Sequence, residues 1–176
     1  MQAHLGTSNP LPALVLRGWE LFAGLAPPDV AAEVFDALAR PEGITRALDD
    51  QPSTMLHGDL WLVNLALTSD DIVLLDWGMA TEGPAVVDYV TFAVGCASHV
   101  ALRREALLDE IRRACGADHD ERGLRVALFF GLAEQGWNKA VDAAEHADPA
   151  TRAAQRAELD WWLARAREAL DAGLIV

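Results

Sequence analysis

The chain has 176 residues, 52% of them hydrophobic and 23% charged, which suits one domain with a real core and excludes disorder over most of its length. Acidic residues outnumber basic ones 27 to 14, and the field of the resulting net charge of −13 repels phosphate backbones and anionic lipid, so neither nucleic acid nor membrane is expected as a partner. No apolar run approaches the ~20 residues that span a bilayer. The first 16 residues lack a basic start, and Cys96 and Cys115 lack zinc-site spacing, so the expectation is a cytoplasmic protein with reduced thiols.

The first 50 residues read as helices. Leu14, Leu21 and Leu25 form an apolar stripe with Trp19 and Phe22. Pro27-Pro28-Asp29 opens a second helix whose Val30, Val34, Phe35 and Leu38 recur at helical spacing; Pro41 and Gly43 should end it, before a short turn of helix over Ile44–Leu48. The period then changes. Ser53–His57 and Leu65–Leu67 read as short extended runs. Thr68-Ser69-Asp70-Asp71 is a turn, and Ile72–Leu75 is a bounded apolar strand, so Leu65–Leu75 should form a β-hairpin. Beyond Pro84 the pattern predicts helices over 84–99, 101–115, 119–137 and 149–171, with Gly116 and Gly173 as stops. Strands and helices do not alternate, so a doubly wound sheet is not expected.

The chemistry collects around the hairpin. His57-Gly58-Asp59 is followed by Asn64, just before the first hairpin strand, and Asp76-Trp77-Gly78 follows the second. An antiparallel hairpin returns the chain to its origin, so Asn64 and Asp76 should be neighbours, with Asp59 at the far end of a loop closing on the same spot. Two carboxylates and an amide oxygen at one place suit Mg²⁺, which completes its shell with phosphate and water.

The pattern H-G-D-x-x-x-x-N, an apolar strand and D-W-G resembles the core of the aminoglycoside phosphotransferase and choline-kinase-like small-molecule kinases. Gly83-Pro84 through Asp88-Tyr89 is similar to the segment that follows in that family. The resemblance covers residues 55–92. It implies a mainly α (α+β) fold, the helical C-terminal lobe of a protein-kinase-like enzyme, as one unit over 1–176: leading helices over 1–50, the catalytic loop, hairpin and D-W-G segment over 53–92, and a helical substrate-side part over 93–176. It implies Asp59 as catalytic base, Asn64 and Asp76 as Mg²⁺ ligands, and ATP or GTP as phosphoryl donor to a hydroxyl of a small molecule. His57 would orient the loop, Trp77 would pack under the metal-binding segment, and Asp88 would brace the catalytic loop.

The chain departs from that pattern in three ways. Leu60-Trp61-Leu62-Val63 stands where relatives often carry a cation, and Gly78-Met79 replaces a frequent acidic residue. The family also needs an N-terminal lobe with a phosphate-binding Lys, whereas the only Lys, Lys139, follows the motif. The expectation is a lobe without its mate, whose partner is a separate N-lobe polypeptide or, weakly, a second copy. A non-catalytic remnant or binding module that keeps the fold stays open beside the enzyme.

The remaining features have plainer readings. His4, His99, His119 and His146 are surface or capping residues, and Arg103-Arg104 and Arg112-Arg113 belong to a solvated, salt-bridged face. Trp137, Trp161, Trp162 and both cysteines are core. Glu134, Asp142 and Asp160 lie where relatives bind their acceptor, and no substrate-binding residue is assigned.

Overall fold

Most helix starts in this chain are set by proline or aspartate. The computed structural model describes residues 10–116 and 120–175. Proline occupies the first turn of α1 (Leu11–Leu25) and α2 (Pro28–Ala39), where its missing N–H costs nothing. A short α3 (Glu42–Leu48) follows, with Gly43 inside it rather than ending α2. Next come β1 (Ser53–Leu56), the hairpin strands β2 (Leu65–Leu67) and β3 (Ile72–Leu74), β4 (Thr81–Pro84) and α4 (Ala85–Cys96). The chain ends in α5 (Arg104–Cys115), α6 (Glu121–Glu145) and α7 (Pro149–Asp171). The fold is mainly α, with a small antiparallel β component, and among the described residues no helix is long and apolar enough to cross a membrane.

Aspartates cap the two long helices. Asp120 accepts hydrogen bonds from the N–H groups of Gly123 at 2.8 Å and Arg122 at 3.3 Å, and Gln51 donates to it at 2.8 Å, tying the lead-in of β1 to α6. These bonds, that from Gly123 first, hold the Asp120 carboxyl below its usual range. Asp148 caps α7 through the Thr151 N–H and hydroxyl. Gly116 and Gly173 both have positive φ, as helix stops require.

The strands form two separate pairs. β2 and β3 make the expected hairpin, with Leu65 opposite Leu74 and Leu67 opposite Ile72, closed by the Thr68 hydroxyl accepting the Asp71 N–H at 2.9 Å. β1 pairs with β4, Ser53 opposite Pro84 and Leu56 opposite Thr81. The sequence pattern did not predict β4, whose Thr-Glu-Gly-Pro lacks strand periodicity. It is a strand because β1 lies beside it. The helix predicted over 101–115 begins at Arg104, and α6 runs to Glu145, past the expected end at 137, because Lys139, Ala140 and Ala143 continue its buried face.

Helix α6 is the axis of the molecule, packing most extensively against α7, then α1 and α4. Its buried Leu124, Phe129 and Leu132 meet Val90 and Val94 of α4, Phe22 of α1, and Leu159 and Trp162 of α7 in one continuous core. Trp19, Phe22 and Phe35 join α1 to α2 as a triad of edge-on rings with centroids 5.4–6.1 Å apart. Arg104 is an exception to the solvated face expected of α5, because it bonds the buried Glu158 of α7 at 2.6 Å, while Arg112 and Arg113 pair with surface acids. Trp162 is buried and donates to Glu158, and Trp161 and Trp137 are half-buried. Cys96 is buried and Cys115 half-buried, both unbridged. His99 is exposed and His146 accepts the Asp148 N–H; His4 and His119 lie outside the described residues.

Close helix approach depends on Gly18, where a Cβ would lie 2.5 Å from the backbone carbonyl oxygen of Trp137. Gly24, on the same helix, has open space around it. Gly18→Ala should therefore lower the melting temperature, since a forced helix separation costs about 1–3 kcal/mol. Gly24→Ala should raise it, by the ~0.5–1 kcal/mol that alanine gains over glycine in a helix. Paired thermal melts of the two variants measure both signs.

Candidate functional site

The loop from His57 to Asn64 is held by Asp88, in the first turn of α4. One carboxylate oxygen of Asp88 accepts the His57 N–H at 2.6 Å and the other accepts the Gly58 N–H at 3.1 Å. The His57 ring works in the opposite direction. Its Nδ1 accepts the Asp59 N–H at 3.3 Å, which leaves Nε2 as the protonated nitrogen, donating to the Leu75 carbonyl at 2.7 Å. The buried imidazole thus ties its own loop to the end of strand β3, one residue before Asp76. With both nitrogens occupied, it is not free to carry a proton to a ligand.

Gly58 makes the second joint. Its φ is +76°, and a Cβ there would lie 2.2 Å from the Met79 carbonyl oxygen. Backbone therefore rests directly on backbone, and only glycine allows both the conformation and the approach. Trp77 stacks at a tilt on His57, centroids 4.8 Å apart, and its indole N–H reaches the Leu74 carbonyl at 3.2 Å. A cleft of about 420 Å³ opens beside these residues, lined by Met55, Leu60, Leu74 and Trp77.

The backbones of the two loops meet as the hairpin geometry requires. The Asn64 amide nitrogen donates to the Asp59 backbone carbonyl at 2.8 Å and to its carboxylate at 3.0 Å. The Asn64 carbonyl accepts the Leu75 N–H at 2.8 Å, one rung beyond the paired strands, so Asn64 and Asp76 flank the open end of the hairpin. Asp76 has a left-handed backbone, φ +57°, a conformation that aspartate tolerates better than most residues. Among the described residues no cluster of three or more His, Cys, Asp or Glu forms a metal site by itself.

The apolar stretch between Asp59 and Asn64 has its own anchors. The Trp61 ring lies against Gly95 of α4, where a Cβ would be 3.0 Å from it, and the Leu62 N–H bonds the buried Cys96 thiol. Burial pushes that thiol up. Packing thus fastens a segment in which charge is absent.

One acidic residue joins the site from a distance. Glu134 of α6 accepts the Thr91 hydroxyl at 2.9 Å, and burial pushes its carboxyl up against the pull of that bond, with the charges of Asp59 and Asp88 adding to the push. Its signal in the sequence is a glutamate inside the apolar run Ala127–Trp137. Asp142 stands instead beside the buried Lys139, whose pKa burial pulls down, and Asp160 is spent in a surface pair with Arg156.

The Asp88 clamp predicts a measurable weakness. Asp88→Asn leaves one acceptor oxygen for two amides and removes the charge, which should cost about 1–3 kcal/mol of stability. Hydrogen exchange should speed up at the His57 and Gly58 amides first. Unchanged protection at both would mean that the loop is held by something else.

A search among curated proteins and a search among solved structures each returned no match. The family model described as "Phosphotransferase enzyme family" matches residues 2–125, which include both loops, the hairpin and Asp88. Over two thirds of its length, and across both loops and the hairpin, the chain belongs to the phosphotransferase enzyme family.

Proposed function

We propose that the chain carries the site for transfer of the γ-phosphoryl group of ATP or GTP to a hydroxyl of a small molecule, as the helical lobe of a kinase-like enzyme. The observation behind this reading is the orientation of Asn64. Its amide nitrogen is spent on Asp59, which leaves its amide oxygen as the acceptor at the end of the hairpin that Asp76 also flanks. An amide oxygen and a carboxylate are the hard donors that Mg²⁺ prefers, and the remaining positions of its shell belong to phosphate and water. Asn64 and Asp76 would hold the ion, which neutralises charge on the phosphates when bound.

The other residues then have separate tasks. Asp59, oriented by the Asn64 amide, accepts the proton of the attacking hydroxyl at its carboxylate. His57, Asp88 and Gly58 hold the two loops in register, so that the base and the ion ligands keep a fixed separation. Trp77 covers the His57 ring and shields its bond to Leu75 from water. Glu134 lies behind Asp59, where a carboxyl pushed toward its neutral form limits repulsion within the acidic site.

A second reading, a binding module without turnover, draws on one observation: no Lys or Arg occurs between Arg46 and Arg103, so this segment offers the phosphates no cationic side chain. Two variants separate the readings. Asp76→Asn keeps a residue that tolerates the left-handed backbone while removing the carboxylate. It should abolish metal-dependent nucleotide binding, read by titrating Mn²⁺ in an electron paramagnetic resonance assay. Asp59→Asn should leave that binding in place and lower residual phosphoryl transfer by about 100-fold or more. Unchanged Mn²⁺ affinity in Asp76→Asn would overturn the metal assignment, and unchanged transfer in Asp59→Asn would favour the binding module.

A further inference from the structure

The ribbon formed by β1 and β4 separates two clefts. One is the cleft of about 420 Å³ beside Trp77. The other, of about 430 Å³, opens on the side of α3 and α6, and both touch Leu56 and Pro84. The second cleft has an apolar floor: Ile44, Leu48 and Leu56 are buried beneath it, and the half-buried Val87 and Phe130 line it. Gly83 leaves room for the Leu56 side chain, which a Cβ there would meet at 3.0 Å. The size is that of a small-molecule site. None of Asp59, Asn64, Asp76 and Glu134 lines this cleft, so it is distinct from the site described above.

Charge decides what fits it. Asp49 and Glu82 stand exposed at its rim, and no Lys or Arg lines it. Among the described residues neither acid enters an ion pair. One Glu82 oxygen accepts the Ser53 hydroxyl at 3.2 Å, which leaves the other open. Asp49 follows the last turn of α3, whose carbonyl end already draws the Arg122 guanidinium to Ala47 at 3.1 Å. The Phe130 ring adds a π-face, which also attracts a cation. An anion would meet two carboxylates and a helix C-terminus here, and a neutral apolar molecule would leave them unused.

We propose that this cleft binds a small organic amine with an apolar body, its ammonium at Asp49 and Glu82 and its body on Leu48, Leu56 and Phe130. The ribbon gives such a ligand a route to the other site. β1 ends at Leu56, next to His57, and β4 begins at Thr81, just past the Met79 against which Gly58 rests. An occupant that braces Leu56 therefore holds the strands from which both loops spring. The binding itself does not depend on the phosphoryl-transfer reading.

The test uses three probes of similar size and shape: phenethylamine, phenethyl alcohol and hydrocinnamate. Each is titrated into the full chain and followed by amide shifts in nuclear magnetic resonance. The amine should bind, the alcohol should bind more weakly, and the carboxylate should not bind. Asp49→Asn with Glu82→Gln changes only exposed side chains and should weaken amine binding by about fivefold or more, while leaving the circular dichroism spectrum and the affinity of the alcohol unchanged. Saturating amine should slow hydrogen exchange at the amides of β1 and β4, and Glu134→Gln should bind the amine as the parent does. Equal affinity of the amine for the double variant and the parent would overturn the proposal, as would equal affinity of the amine and the carboxylate. Loss of amine binding in Glu134→Gln, or protection that spares β1 and β4, would put the ligand elsewhere and overturn it too.

Discussion

The Asp88 carboxylate is the interaction on which the site depends. A loop that must present Asp59 and Asn64 has few backbone bonds of its own, because it runs between a strand and a hairpin rather than within either. Asp88 meets two of its amides from the first turn of α4, where a negative charge is also favoured by the helix dipole. His57 then passes that order on to Leu75, and Gly58 passes it to Met79. The order of the whole hairpin mouth descends from one carboxylate whose helix is packed on α6.

This explains an unequal division of the molecule. The helices enclose one continuous core, with Phe22, Val30, Val90, Phe129 and Leu159 completely hidden. By contrast, the segment from Asp70 to Glu82 is exposed at every position. A rigid base with a shallow, open site on top suits chemistry that consists mostly of positioning, where the protein forms few bonds to the reacting atoms and must hold several charges at fixed spacing. The division also locates the acidity. The surface pairs that neutralise carboxylates elsewhere use Arg residues of α1, α5 and α7 and Arg40 just past α2, and none of these arginines lies at the hairpin mouth.

What the sequence revealed follows the range of the interactions. The hairpin was legible because two apolar runs flank four turn residues, and the residues of the two loops were legible because their spacing is short and fixed. Strand β4 was not legible: Thr81–Pro84 contains a glycine and a proline, and becomes a strand only through its pairing with β1. The end of α6 was obscured by Lys139, a charged residue at a core position, which breaks the apolar count while the helix continues. Glu134 could be placed by location but not by contact, since it reaches Thr91 across 43 residues of sequence through the packing of α6 on α4. Arg104 likewise looked like its solvated neighbours until α7 brought Glu158 to it.

The contact between Gly58 and Met79 has a consequence for how this chain can change. The frame of the site passes through main-chain atoms there, so it is blind to which side chain stands at position 79. Met79 points its own side chain outward, largely into solvent. Mutation at that position can therefore explore size, polarity and charge beside the His57–Asn64 loop without disturbing the backbone contact that holds it. A lineage built this way can vary the surface of the site while its frame stays in place, and position 58 is where such variation stops.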